Sequence, residues 1–179
     1  MGHKAMIAYE VSSNVYNLHF SPWGADNLKL KEEITQETPF GGDYENPNYV
    51  GSFLSNRDDD NADGHLTDAN ATTKVKPIPK LQNVSIKEAA SYFNYLYVEA
   101  FFVVNKDISI ESYVPVPCLI NNHKDSGVLV KCNSVKEYEN IFSKTRTEPW
   151  KSVETKSEWK KQVKNDYSSK IAKFSKISI

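Results

Sequence analysis

Three short motifs fix where helices must begin in this chain. Ser85-x-x-Glu88, Ser134-x-x-Glu137 and Thr155-x-x-Glu158 each set a hydroxyl three residues before a glutamate. At that spacing the hydroxyl accepts from the amide of the third helical residue while the carboxylate turns back to the cap, so orphan donors of the first turn are satisfied. Behind each box lies an apolar series at helical spacing. The series are Ala89, Phe93, Leu96, Tyr97 and Ala100; Val135, Tyr138, Ile141 and Phe142; and Trp159, Val163, Tyr167, Ile171 and Phe174. A shorter helix is predicted over 26–34, with Asp26 as cap and Leu28, Leu30 and Ile34 on its apolar side.

Elsewhere the pattern is that of strands. Residues 5–11 and 15–20 flank the turn Ser12-Ser13-Asn14, and both runs are rich in β-branched and aromatic residues. Residues 101–104 form a compact apolar run, 108–116 alternate, and 127–132 make a further strand. Pro115 and Pro117 suit only the edge or end of a strand, because proline donates no ladder hydrogen bond. The order predicts an α+β fold: an antiparallel sheet built from hairpins, with helices packed on one face. With 179 residues, eight Phe, ten Tyr and three Trp, the chain is long and aromatic enough for one domain over 1–179. Prolines, glycines and aspartates break residues 35–80, and a mobile acidic insertion is expected over 56–80. A basic amphipathic helix is expected over 155–176.

Charge and hydropathy exclude several classes. A formal net charge of −1 gives no global pull toward nucleic acid or membrane. Tyr9, Tyr16, Phe20 and Trp23 lack interleaved lysines, so no nucleic-acid stacking surface is predicted. No apolar run is long enough to span a bilayer, and none at the start resembles a secretion signal, so a cytoplasmic protein is expected. Two cysteines, Cys118 and Cys132, are too few for a disulfide framework; they are expected as reduced thiols near each other on paired strands. Residues 144–179 hold ten Lys or Arg against four Asp or Glu. Their Trp159-to-Phe174 stripe is a candidate for an anionic membrane surface, a protein partner or the chain's own sheet.

Two constellations carry candidate chemistry. The first runs from Asp59 to Asn70. Asp59, Asn61 and Asp63 offer side-chain oxygens at alternate positions, His65 a backbone carbonyl, Thr67 a hydroxyl, and Gly64 the sharp turn of a calcium loop. Asn70 stands where a bidentate glutamate belongs, so calcium binding there is expected to be weak. A solvated acidic loop fits the same residues. The second is His3, His19 and Glu99, which become a metal or acid–base centre if the first hairpin and the 85–104 segment converge. No nucleophile or phosphate-loop signature accompanies them.

Met1-Gly2-His3-Lys4-Ala5, then Leu18-His19-Phe20-Ser21-Pro22-Trp23-Gly24, Glu37-Thr38-Pro39-Phe40-Gly41-Gly42 and Tyr97-Val98-Glu99-Ala100-Phe101-Phe102 resemble an uncharacterised haloarchaeal protein family. That resemblance implies no activity. The family pattern carries histidine where this chain has Pro22, Tyr97 and Val98, so a metal role built on those positions is lost here. The chain also lacks a halophile's strongly acidic surface, which points to a low-salt archaeon or a virus of one. The expected function is a non-enzymatic binding or assembly module with a protein partner, self or other. The alternative is a small metal-dependent hydrolase using His3, His19 and Glu99.

Overall fold

The computed structural model describes residues 3–21, 24–28, 30–33, 76–78, 80–92, 94–107, 109–120 and 126–179. The acidic stretch with the candidate calcium loop (Asp59, Asn61, Asp63, His65, Thr67 and Asn70) lies outside them. The fold is α+β. Strands β1 (Ala5–Ser12), β2 (Val15–Ser21), β3 (Lys76–Pro77), β4 (Ala100–Val104), β5 (Ile110–Pro117) and β6 (Gly127–Cys132) form one sheet in the order β3-β2-β1-β4-β5-β6. Helices are α1 (Leu30–Glu33), α2 (Ile86–Tyr92), α3 (Val135–Lys144), α4 (Glu148–Lys151) and α5 (Lys156–Tyr167).

The sheet is not wholly antiparallel. β1 pairs antiparallel with β2 across a turn where Asn14 adopts φ 58°, a left-handed value that Asn tolerates. On its other side β1 pairs parallel with β4, Ala5 opposite Ala100 and Ile7 opposite Phe102. β4, β5 and β6 then follow antiparallel. The parallel pair arises because β3 adds to the far side of β2, and the chain then leaves the sheet through α2 and re-enters beside β1.

Helices also cover both faces, not one. Ile7, Phe102, Val114, Val116, Val128 and Val130 face a core completed by Tyr138 and Ile141 of α3 and by Trp159, Val163 and Tyr167 of α5. Met6, Ala8, Phe101, Val103 and Leu129 face a second core with Ala89 and Ala90 of α2, Tyr95 and Val98. The physical reason is in the strands. Every residue of β4 is buried, as expected of a strand with no solvent face.

All three boxed caps form. Glu88, Glu137 and Glu158 amides donate to Ser85 Oγ, Ser134 Oγ and Thr155 Oγ1 at 3.1, 3.1 and 3.2 Å. Two helices are shorter than their apolar series. α2 stops at Tyr92, and the Leu96 amide donates to Asn94 Oδ1 at 2.9 Å, a local turn that replaces helix. Tyr95 turns inward instead, donating to the Ala90 carbonyl at 2.8 Å and accepting from the Lys176 amide at 2.9 Å.

α5 ends at Tyr167, and a 3-10 turn (Ser168–Lys170) leads into an extended tail. Ile171 joins the first core and Phe174 packs on the second, so this tail passes around the outer edge of β6. Its Ala172 and Ile177 amides donate to Leu129 and Gly127 carbonyls at 2.8 and 2.9 Å, and the Leu129 amide donates to Ser175 Oγ at 2.9 Å. Residues 78 and 80–84 similarly serve β2, with Tyr16–Val84 and Leu18–Leu81 hydrogen bonds. The outer edge of β6 is thus covered by the tail, and that of β2 by β3 and the residues after it.

Pro115 and Pro117 lie in a strand with neighbours on both sides, yet β4 pairs only as far as Phe101–Tyr113. Their missing amides therefore fall beyond the β4 ladder. Pro117 pairs with Gly127, whose added Cβ would stand 2.2 Å from the Val116 oxygen and 2.9 Å from the Tyr95 ring. Gly127→Ala is expected to lower stability by about 1–3 kcal/mol, read as a lower urea midpoint. An unchanged midpoint would refute this close packing.

Candidate functional site

The parallel pairing decides which polar residues meet. With Ala5 opposite Ala100, the residues preceding β1 and β4 arrive at one end of the sheet. The amides of Glu99 and Ala100 both donate to the Lys4 carbonyl, at 2.9 and 3.3 Å, and the Ala25 amide donates to the His3 carbonyl at 2.9 Å. Held by this backbone, His3 Nδ1 lies 3.0 Å from Glu99 Oε2. The pair is partly in water, with side chains 51 % and 24 % exposed.

The pair opens on a cleft of about 220 Å³, walled also by Asp26, Tyr138, Glu139 and Phe142. Tyr138 stacks on Phe142 at 5.7 Å. Burial raises the Tyr138 phenol above its usual pKa, and the Glu99 charge adds to the effect, so the hydroxyl stays protonated at neutral pH. Behind them the Arg146 guanidinium lies 3.8 Å over the Phe142 ring and donates to the Pro115 carbonyl at 3.3 Å. Burial works against its charge, while Tyr138 and Glu99 favour it.

His19 is elsewhere. It stands opposite Ile7, whereas His3 lies four residues before Ile7, on the order of 13 Å along the strand. Its ring is fully buried, and that burial pushes its pKa down to about 3, partly offset by a hydrogen bond with the Asn17 backbone. His19 is thus a neutral core residue at physiological pH.

The cysteines do not join the cleft or each other. Both are buried and free. Cys118 follows Pro117, at the Gly127 end of the β5–β6 ladder, and Cys132 pairs with Ser112 at the other end. Burial first of all raises the Cys132 thiol pKa, which leaves it unreactive.

Of the three predicted residues the fold unites two. The sequence does not mark Asp26, Tyr138 or Glu139 as cleft residues. Asp26 carries a capping signal and Tyr138 a helix-face signal, and only long-range pairing brings them to His3. Among the described residues no group of three His, Cys, Asp or Glu is arranged to hold a metal ion. The pair can orient an imidazole and exchange a proton, and the surrounding carboxylates favour cationic groups. The lysine-flanked apolar stripe of α5 is no free surface either, because Trp159, Val163 and Tyr167 lie in the core. No helix among the described residues is long and apolar enough to cross a membrane.

A sheet sheltered on both faces, with a small carboxylate-lined cleft at one end, defines an α+β protein with an imidazole–carboxylate pair at the mouth of that cleft. Residues 1–127 match the family of unknown function DUF6735, and the chain belongs to that family. No curated protein and no solved structure matches it significantly.

Proposed function

We propose that the protein is a non-enzymatic binding or assembly module whose contact surface is the sheet end carrying His3, Glu99 and Tyr97. One observation carries this reading: His19 lies in the core, four residues along the ladder from His3's position, so the three residues a hydrolytic centre needs do not converge. What is left is a half-exposed pair bounded by Asp26 and Glu139, suited to receive a basic side chain of a protein partner. Tyr97, 57 % exposed and two residues from Glu99, adds the kind of aromatic area that protein interfaces favour, with Lys4 Nζ 5.6 Å from its ring centre.

Elemental analysis of the purified full chain tests this. Zinc, iron and manganese are expected well below one equivalent, with no change in Glu99→Gln. One equivalent of metal, lost in both His3→Ala and Glu99→Gln, would overturn the reading and restore the metal-dependent hydrolase. Weak calcium binding by the Asp59, Asn61, Asp63, His65, Thr67 and Asn70 loop is proposed on sequence grounds. Calorimetry at millimolar calcium decides it, and no heat ends it. An archaeal or archaeal-virus source rests on the family resemblance of residues 1–42 and 85–116. A cytoplasmic location is supported by the two free buried thiols.

A further inference from the structure

A second cavity, of about 320 Å³, lies where the end of α5 meets the C-terminal tail. It shares no lining residue with the cleft at His3, so the two sites stand or fall separately. Its apolar wall is made by Ile171, Ala172 and Ile177. The tail is pinned there, because the Ala172 and Ile177 amides donate to the Leu129 and Gly127 carbonyls of β6 and Ile171 bridges to Val130. The wall is therefore held in place before anything binds.

Lys164 and Lys173 line the same cavity, and both are exposed. Among the described residues neither has an ion-pair partner. Side chains three and four apart are neighbours on a helix. Those around Lys164 are Lys160, Lys161, Tyr167 and Ser168, none of them acidic. Asp166, the nearest carboxylate in sequence, pairs with Lys144 at 3.2 Å. Among the described residues no Asp or Glu lines the cavity, and even a terminal carboxylate on Ile179 would leave the wall net positive. Positive charge that nothing cancels, beside an apolar wall, calls for a partner that is both acidic and apolar.

We propose that this cavity docks an acidic segment of a protein partner, with one aliphatic side chain against Ile171 and Ile177 and flanking carboxylates beside Lys164 and Lys173. Two features favour a peptide over an anionic lipid surface. The apolar wall lines a concavity, so a flat bilayer would leave it unfilled, whereas a single side chain enters it. Nor does α5 have an apolar face to lay on lipid, since Trp159, Val163 and Tyr167 lie in the core. A contact this small, with its charges in water, implies a Kd on the order of 1 mM.

The test titrates the full chain, labelled with nitrogen-15, with a blocked pentapeptide of four aspartates around a central leucine. The backbone amide resonances of Lys164, Ser168, Ala172 and Lys173 are expected to shift together and saturate. An alanine-centred analogue should bind several-fold more weakly, and a peptide of four lysines around leucine should shift none of them. Lys164→Gln and Lys173→Gln, both at exposed positions, should each weaken binding about two- to five-fold. High salt should weaken it as well. The proposal is overturned if the aspartate–leucine peptide gives no saturable shift, or if the alanine analogue binds as well, which would leave charge attraction without the cavity. It is overturned too if phosphatidylglycerol vesicles but not the peptide engage these amides, or if the amides shift with protein concentration alone. Those two results would assign the cavity to a membrane and to a second copy of the chain.

Discussion

Removal of residues 155–179 is expected to leave a chain that does not fold. The segment contributes Trp159, Val163, Tyr167 and Ile177 to the core beneath Ile7 and Phe102. At about 1.5–3 kcal/mol for each buried side chain, that is on the order of 6–12 kcal/mol, comparable with the whole stability of an ordinary domain. The same cut uncovers the β6 edge, whose Gly127 and Leu129 carbonyls now receive tail amides. The expected product is insoluble, or shows collapsed amide dispersion in nuclear magnetic resonance spectra. A folded, soluble remainder would mean that the α5 stripe is free to lie on a membrane or another protein. Within the intact chain, Trp159→Ala is expected to cost about 3–5 kcal/mol. The family match ends where β6 begins, so a chain stopping at residue 127 should fail for the same reason.

Acidification between pH 6.5 and 4.5 is expected to weaken the fold through His19. In the unfolded chain its imidazole titrates near the usual 6.5, and in the fold burial holds it at about 3. Over that window the unfolded state binds more protons, so stability is complete above the unfolded pKa and falls as pH drops. The slope approaches about 1.4 kcal/mol per pH unit, or about 2.5 kcal/mol by pH 4.5. Urea unfolding at several pH values measures it. His19→Gln should flatten the slope whatever its stability at neutral pH, and an unchanged slope would place the acid sensitivity elsewhere. Glu137 acts in the same direction at lower pH. Its pKa is depressed by Lys170 and the Asn133 amide, so its contribution is lost only as pH falls through that lowered value.

What the sequence reveals divides along the length scale of the interactions. Each cap is a contact between residues three apart, and all three form where the boxes stand. Strands β2, β4 and β6 lie within a residue of the runs that predict them, since alternation and apolar runs are local properties. Partner choice is not local. Nothing in Ala5–Ser12 or Ala100–Val104 announces that they pair parallel, and that pairing alone brings Glu99 to His3.

Some signals are present but outweighed. The unbroken apolar run at Ala100–Val104 already implies cover on two faces. In the register across the Asn14 turn, His19 meets Ile7 rather than His3. Ile171 and Phe174 fit the α5 period, yet the helix ends at Tyr167 and the tail sends them to opposite sides of the sheet.

The most direct test is a pH titration of the histidine ring protons by nuclear magnetic resonance, with His19 assigned through His19→Gln. A His19 resonance that holds its neutral position to below pH 5 is the predicted result, because the ring belongs to the sheet interior. A midpoint near 6.5 would put that ring in water and contradict its place in the sheet interior, and with it the separation of His19 from His3 and Glu99 on which the binding-module reading rests.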